Sequence, residues 1–179
     1  MMNNNSTKIV TLIPSATEIV AFLGQKNSII GRSHECDYPH GLSHIAKLTS
    51  PKINVDGTSR EIDKQINTIL ENSLSVYKVD VAKLKELNPD YIITQAHCEV
   101  CAVSFSEVEN IVSKNLNKNT KIISLQPNTL NDVFNDIRKV AMELNLENEI
   151  IESKLNPNES KMNPTESLKK YTCQFCSKC

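Results

Sequence analysis

Short apolar runs alternate along the chain with segments in which apolar residues recur every three or four positions. The runs predict strands at 8–13, 28–32, 74–77, 91–94 and 121–125. The amphipathic segments between them predict helices, which open on the capping-box patterns Ser15-x-x-Glu18, Thr58-x-x-Glu61 and Ser104-x-x-Glu107 and on the N-cap Asp80. Residues 37–56 predict a loop. Repeated strand–helix units of this kind favour an α/β fold with a doubly wound, mostly parallel sheet.

The apolar pattern changes after the last predicted strand. Leu130, Val133, Ile137 and Val140 recur at helical spacing and predict a long amphipathic helix. From about residue 151 this spacing is lost, and the chain becomes rich in Asn, Pro, Ser and Lys, which is typical of disorder. We therefore expect a disordered start at 1–7, a ligand-binding lobe at 8–128, the long helix at 129–150 and a disordered, cysteine-containing tail at 151–179.

Composition narrows the class of protein. The 179 residues suffice for one α/β domain with a core, and the net charge of −1 with no basic stripe argues against nucleic-acid binding. Since no apolar run approaches the roughly 18–20 residues of a membrane span, we expect no membrane insertion. The start lacks the basic and apolar regions of a signal peptide, which predicts a cytoplasmic chain. There, the six cysteines are expected to be free, metal-binding or redox-active.

Two polar clusters directly follow predicted strands. One comprises Arg32, Ser33, His34, Glu35, Cys36 and Asp37, and the other comprises Gln95, His97, Cys98, Glu99 and Cys101. Because the carboxyl ends of parallel strands share one edge of a sheet, we expect the two clusters to meet there, beside the start of the first helix. The predicted ligand-binding residues are Ser15, Ala16, Thr17, Arg32, Ser33, His34, Glu35, Asp37, Gln95, His97 and Glu99.

Several of these residues have two interpretations. Cys98 and Cys101 form a C-x-x-C pair, which is either a redox dithiol or half of a site for zinc or another soft metal. The other two zinc ligands would come from His34, Cys36 or His97, with Cys36 and His97 as the predicted set. Alternatively, the two cysteines are small packing residues at a helix start. Arg32 either clamps an anionic ligand group or pairs with Glu35. Ser15 and Thr17 are also candidate helix caps. The tail motif is either a metal site lacking a fourth ligand or a non-native end, and comprises Cys173, Cys176 and Cys179.

Three segments of the sequence resemble one protein family. They are similar to the N-terminal lobe of cobalamin and ferric-siderophore substrate-binding proteins of ABC importers. The segments are Ile9-Val10-Thr11-Leu12-Ile13-Pro14-Ser15-Ala16-Thr17-Glu18-Ile19, Gly31-Arg32-Ser33-His34-Glu35-Cys36-Asp37-Tyr38-Pro39 and Leu87-Asn88-Pro89-Asp90-Tyr91-Ile92-Ile93. The resemblance implies two α/β lobes bridged by a long helix, with the ligand held between them. It also implies an ABC permease as partner and a periplasmic protein or extracellular lipoprotein.

The sequence departs from this family in lacking an export signal and room for a second lobe. It therefore predicts a truncated or split binding protein, whose second lobe would come from a partner chain, or a decayed one. We expect it to bind cobalamin, another corrinoid or an iron complex at the carboxyl edge of the sheet, without catalysis. The alternative is a cytosolic soft-metal or thiol-redox protein that uses Cys36, His97, Cys98 and Cys101. An enzyme such as a thiol oxidoreductase is a weaker hypothesis, because no Ser-His-Asp order, phosphate loop or paired catalytic carboxylates stand out in the sequence. In addition, a thioredoxin-like C-x-x-C normally opens a helix after the first strands of a different topology.

Overall fold

The computed structural model describes residues 7–54, 56–71, 76–96, 103, 105–116, 119–147, 151 and 154–155. Within these ranges the strands are β1 (Ile9–Thr11), β2 (Ile29–Arg32), β3 (Ala46–Lys47), β4 (Thr49–Pro51), β5 (Tyr77–Val79), β6 (Tyr91–Gln95) and β7 (Lys121–Leu125). The α-helices are α1 (Pro14–Phe22), α2 (Ser59–Glu71), α3 (Val81–Leu87), α4 (Phe105–Asn115) and α5 (Leu130–Glu143), and a 3-10 turn spans Lys26–Ser28.

Five of these strands form a parallel sheet in the order β3-β2-β1-β6-β7. This confirms the predicted α/β class and mostly parallel sheet. The register places Val10 opposite Ile92, and both side chains are buried. They belong to an apolar core whose buried members also include Leu12, Leu48, Leu84, Val103 and Val108. The core covers one face of the sheet and holds the central strands rigid beneath the loops that follow them.

The remaining two strands form a separate antiparallel pair, β4–β5, in which Thr49 lies opposite Val79 and Pro51 opposite Tyr77. The sequence interpretation was wrong for the predicted loop 37–56, which contains β3 and β4. Of the strand predicted at 74–77, residues 74 and 75 lie outside the described residues, and the described strand is Tyr77–Val79. Strands of two or three residues are too short to show an alternating pattern, so these could not be read from periodicity.

The start of α1 also differs from the prediction. The helix begins at Pro14 with Ile13 as its N-cap, and no side-chain capping bond is formed there among the described residues. Proline suits the first helical position because its backbone has no N–H to satisfy and its φ is already helical. Ser15 and Thr17 therefore lie inside the first turns, and the capping box predicted for Ser15 is wrong. The boxes of Thr58 with Glu61 and the cap of Asp80 are confirmed by their hydrogen bonds.

Helix α5 is shorter than predicted. It ends at Glu143, and Asn145 adopts a left-handed φ of 55°. The amides of Asn145 and Leu146 donate to the carbonyl oxygens of Met142 and Ala141, at 3.0 and 2.9 Å, which is the Schellman pattern of a helix terminus. Asparagine tolerates this conformation better than most residues, and the helix stops there for that reason. The start of α5 agrees with the prediction, since Thr129 is the N-cap and forms a capping box with Asp132.

The chain divides into two compact units, Met1–Gln126 and Pro127–Cys179. The first unit contains the parallel sheet, the β4–β5 pair and the carboxyl ends of β2 and β6, where the ligand is predicted to bind. In the part of the chain that the structure describes, no helix has the length and apolar character needed to span a bilayer.

Candidate functional site

The candidate site lies where β2 and β6 end. Both strands pair in parallel with β1, one on each side, so their carboxyl ends share one edge of the sheet. With strands spaced about 4.8 Å apart, the two ends are about 10 Å from each other. Gln95 closes β6 and is half-buried, and the loop that begins at Ser33 leaves β2. The predicted residues His97, Cys98, Glu99 and Cys101 lie outside the described residues, as do Cys173, Cys176 and Cys179.

The last residue of β2, Arg32, carries a buried guanidinium that contacts the following loop. Only 5% of this residue is exposed. Its Nε donates to the carbonyl oxygen of Leu42 at 3.0 Å, and one Nη donates to those of Cys36 and Ser33 at 2.7 and 3.2 Å. The predicted ion pair is therefore corrected: among the described residues Arg32 makes none with Glu35, and these three bonds go to backbone carbonyls of the loop. Its role as a clamp for an anionic ligand group stays a prediction. A planar fork of donors is suited to holding several carbonyls at once.

A chain of buried polar atoms runs from β1 through α1 to this loop. Thr11 Oγ1 and Thr17 Oγ1 are 2.7 Å apart, and Thr17 Oγ1 lies 2.9 Å from Cys36 Sγ. Burial raises the pKa of the Cys36 thiol, against the opposing effects of the Thr17 hydrogen bond and the Arg32 charge. Cys36 is thus a neutral thiol bound into the scaffold, which leaves it poorly prepared to act as a thiolate ligand.

His34 lies on the opposite side of the same loop. Its backbone N–H donates to Thr49 Oγ1 at 3.0 Å, its Nδ1 lies 2.6 Å from that same oxygen, and Ser33 Oγ is 3.0 Å from it. Burial lowers the pKa of His34; the Glu35 charge raises it, and the Lys47 charge lowers it further. The imidazole is half-exposed and favours its neutral form.

Glu35 is fixed from the other strand of the small antiparallel pair. The Tyr77 hydroxyl donates to Glu35 Oε1 at 2.8 Å, and the Tyr77 ring meets the His34 ring edge-on with centroids 5.1 Å apart. Thr49 and Tyr77 are functional candidates that sequence reasoning missed. Thr49 fell in the predicted loop, and Tyr77 ended a predicted strand whose partner was unknown, so no sequence pattern linked either to His34.

The remaining predicted ligand residues are less closely grouped. Asp37 is exposed, Ser15 is half-buried, and Ala16 and Thr17 are fully buried on the inner side of α1. Burial, and then the Asp37 charge, raise the pKa of Glu18. These two acids therefore lie near one another at the start of α1 and the β2 loop. The structure thus brings His34, Glu35 and Asp37 to the surface, while it directs Arg32, Ser33, Ala16 and Thr17 inward.

The described residues contain no group of three or more His, Cys, Asp or Glu side chains placed to hold a metal ion. Of the predicted metal set only Cys36 is described, and its Sγ is buried and hydrogen-bonded to Thr17. The hypothesis of a zinc site completed by His97, Cys98 and Cys101 stays a prediction.

No family model matches the sequence, and no curated protein matches it. Solved structures do resemble the fold. The periplasmic vitamin B12 binding protein BtuF of Vibrio cholerae aligns with a TM-score of 0.56 and 18% identity, over 82% of this chain and 44% of that one. The periplasmic heme-binding protein RhuT from Roseiflexus sp. RS-1 gives 0.53 and 19%, over 78% and 41%. A possible iron-binding, periplasmic solute-binding protein from Staphylococcus epidermidis gives 0.52 and 19%, over 82% and 46%.

The chain therefore spans less than half the length of each of these three structures. All three are named as binding proteins rather than enzymes. At sequence identities below one fifth, this structural similarity shows the fold alone. It agrees with the resemblance of the three sequence segments given above. The chain has the α/β fold of part of these three periplasmic proteins, which are named as a vitamin B12 binding, a heme-binding and a possible iron-binding protein.

Proposed function

We propose that this chain is a solute-binding lobe that holds a small ligand at the carboxyl edge of its parallel sheet and presents it to an ABC permease. The observation that supports this most is the convergence of the β2 and β6 ends on one edge, with His34 and Glu35 held at the surface by neighbouring side chains. In open α/β sheets ligands bind at this edge. Cobalamin is the first candidate ligand, and heme and ferric chelates are the others.

A single lobe covers one face of a ligand. Since binding sites normally bury most of a ligand's surface, the lobe alone should bind more weakly than a two-lobe cleft. A second lobe, supplied by a partner chain or by further sequence, would complete the site. Presentation to a permease would place the protein outside the cytoplasm, in contrast to the location that the sequence start predicts.

The direct test is absorbance titration of the purified chain with cyanocobalamin, haemin and a ferric chelate. We expect saturable binding of one of them, weakened roughly thirtyfold by the double change His34→Ala, Glu35→Gln, which corresponds to the loss of about 1 kcal/mol for each of two contacts. His44 is exposed on the same loop, so His44→Ala is the matched control and should leave affinity unchanged. Saturable binding of none of the three probes, or equal weakening by both variants, would count against the proposal.

A further inference from the structure

The small antiparallel pair β4–β5 places two side chains against the loop after β2. Thr49 and Pro51 lie on the same face of β4, because alternate residues of a strand share a face, and Tyr77 lies opposite Pro51. Thr49 and Tyr77 therefore lie on one face of the pair. Thr49 is 6% exposed and reaches His34, while Tyr77 reaches Glu35. Two of the outward-facing polar residues of the loop, His34 and Glu35, are thus held by this one pair of strands.

The hydrogen bonds around Thr49 determine where the His34 proton lies. Thr49 Oγ1 has one hydrogen to donate and three partners: the His34 N–H, Ser33 Oγ and His34 Nδ1. The His34 N–H can only donate. Ser33 Oγ already accepts from the Glu35 N–H at 3.4 Å and is 2% exposed, so its own hydrogen needs an acceptor.

Two arrangements are possible. In the first, Ser33 donates to Thr49 and Thr49 donates to His34 Nδ1, and every hydrogen has an acceptor. In the second, His34 Nδ1–H donates to Thr49 and Thr49 donates to Ser33, which leaves the buried Ser33 hydrogen with no acceptor among the described residues. An unmet buried donor costs about 1–3 kcal/mol, so the first arrangement is favoured. It puts the ring proton of the neutral imidazole on Nε2.

We propose that Thr49 and Tyr77 are positioning residues that make His34 Nε2–H a hydrogen-bond donor and the Glu35 carboxylate an acceptor for one ligand. His34 Nε2 makes no hydrogen bond to any described residue, and Tyr77 occupies only the Oε1 oxygen of Glu35. Because its Nε2 lone pair is protonated, His34 does not serve as a metal ligand. The neutral imidazole follows from its burial and the nearby Lys47, which outweigh Glu35 in setting its pKa.

A donor beside an acceptor matches a ligand group that carries both a carbonyl oxygen and an N–H, which is the chemistry of a carboxamide. A ligand carboxylate would accept from His34 but would be repelled by Glu35. This ligand class rests on the proposed function, whereas the position of the His34 proton does not. The periphery of cobalamin carries carboxamides and that of haem carries carboxylates, so the two probes separate the possibilities.

The first experiment needs no ligand. Long-range ¹H–¹⁵N correlation spectra of the full chain, recorded at about pH 8, report which ring nitrogen of each histidine carries the proton. We expect His34 to be protonated at Nε2 in the wild type and in Thr49→Ser, which keeps the hydroxyl. In Thr49→Val the hydroxyl is lost and both nitrogens should share the proton. His44 serves as an internal reference whose signals do not change.

A wild-type His34 protonated at Nδ1 overturns the proposal, and so does an unchanged tautomer in Thr49→Val. If Thr49→Val fails to fold, as its amide spectrum would show, the wild-type tautomer and Thr49→Ser still decide the question.

The second experiment measures binding of cyanocobalamin and haemin. We expect Thr49→Val and Tyr77→Phe each to weaken cyanocobalamin binding by roughly fivefold to tenfold, the effect of one lost hydrogen bond, and Thr49→Ser to change it by less than about twofold. Glu35→Gln should improve haemin binding relative to cyanocobalamin. Equal losses in Thr49→Ser and Thr49→Val would overturn the positioning role. If the wild type binds neither of these probes nor the ferric chelate while its tautomer is as expected, the proposed function fails and the positioning of His34 stands.

Discussion

The loop after β2 has two sides that differ in what holds them. Arg32, Ser33 and Cys36 are 5%, 2% and 6% exposed, whereas Glu35 and Asp37 are exposed. The inward side chains bind backbone carbonyls and buried hydroxyls. Glu35, on the outward side, is held at Oε1 by a hydrogen bond from a neighbouring strand, while its Oε2 makes no hydrogen bond to another described residue. Polar residues in one short segment thus divide into those that shape the loop and those that can contact a ligand.

The largest expected effect on stability comes from removing the hydrogen bonds of an inward-facing side chain. Arg32→Met removes the donors to the carbonyl oxygens of Leu42, Ser33 and Cys36 and leaves them buried. We expect a loss of about 3 kcal/mol in the free energy of unfolding, measured by urea denaturation, because unmet buried groups cost about 1–3 kcal/mol each and some will rehydrate.

The matched control on the outward side is Glu35→Gln, which keeps the shape of the side chain and its bond from Tyr77. It should change stability by less than about 0.5 kcal/mol. Similar losses in the two variants would show that the loop has no such division.

The next prediction tests how closely β2, the strand before the loop, is packed. Gly31 precedes Arg32 on β2, and a Cβ added there would lie 2.5 Å from Leu48 Cδ1 and 3.1 Å from Leu87 Cδ1. Since Leu48 is fully buried, it has little room to move, and Gly31→Ala should cost about 1–3 kcal/mol. Gly57→Ala is the control, because the nearest atom to its added Cβ is Oε2 of the exposed Glu61 side chain, at 3.3 Å. A stability change under 0.5 kcal/mol for Gly31→Ala in the same urea assay would contradict the close packing.

The fold was largely predictable, and the division of the loop was not. Long apolar runs such as Tyr91–Gln95 and the cap at Asp80 depend on local sequence, so periodicity and capping rules identified them. Which way Arg32 points depends instead on Leu42 and Cys36, whose carbonyls reach it only after the loop has folded. Thr49 meets His34 because β3, too short to show a pattern, brings β4 alongside β2. Contacts of this kind come from tertiary structure.

Cys36 offers a chemical test of the inward side. Burial raises its thiol pKa, so the reactive thiolate is scarcer at neutral pH than for an ordinary cysteine. We expect alkylation of Cys36 in the folded chain, followed by mass spectrometry of its peptide, to be slower than in the urea-unfolded chain, because the raised pKa leaves less thiolate and burial limits access to the sulfur. Thr17→Val removes a hydrogen bond that lowers the pKa and should slow the reaction further. Equal rates in folded and unfolded chains would place Cys36 on the outward side.

The smallest expected effect concerns Glu18, which lies on α1 and interacts electrostatically with Asp37 of the loop. Its pKa is raised above 4.5, first by burial and then by the Asp37 charge. The folded state therefore favours the protonated acid: stability from this group is complete below about pH 4.5 and is lost as the pH rises through the folded pKa. Glu18→Gln should thus stabilise the chain at pH 7, by less than about 1 kcal/mol because the side chain is partly screened by solvent.

The gain from Glu18→Gln should disappear below about pH 4.5, where the wild-type acid is itself protonated. Asp37→Asn should give a smaller gain, because the Asp37 charge is the lesser of the two causes. Urea denaturation at several pH values measures both. If Asp37→Asn stabilised the chain more than Glu18→Gln, charge repulsion across the loop would outweigh burial, and the exposed side would contribute more to stability than its hydrogen bonds indicate.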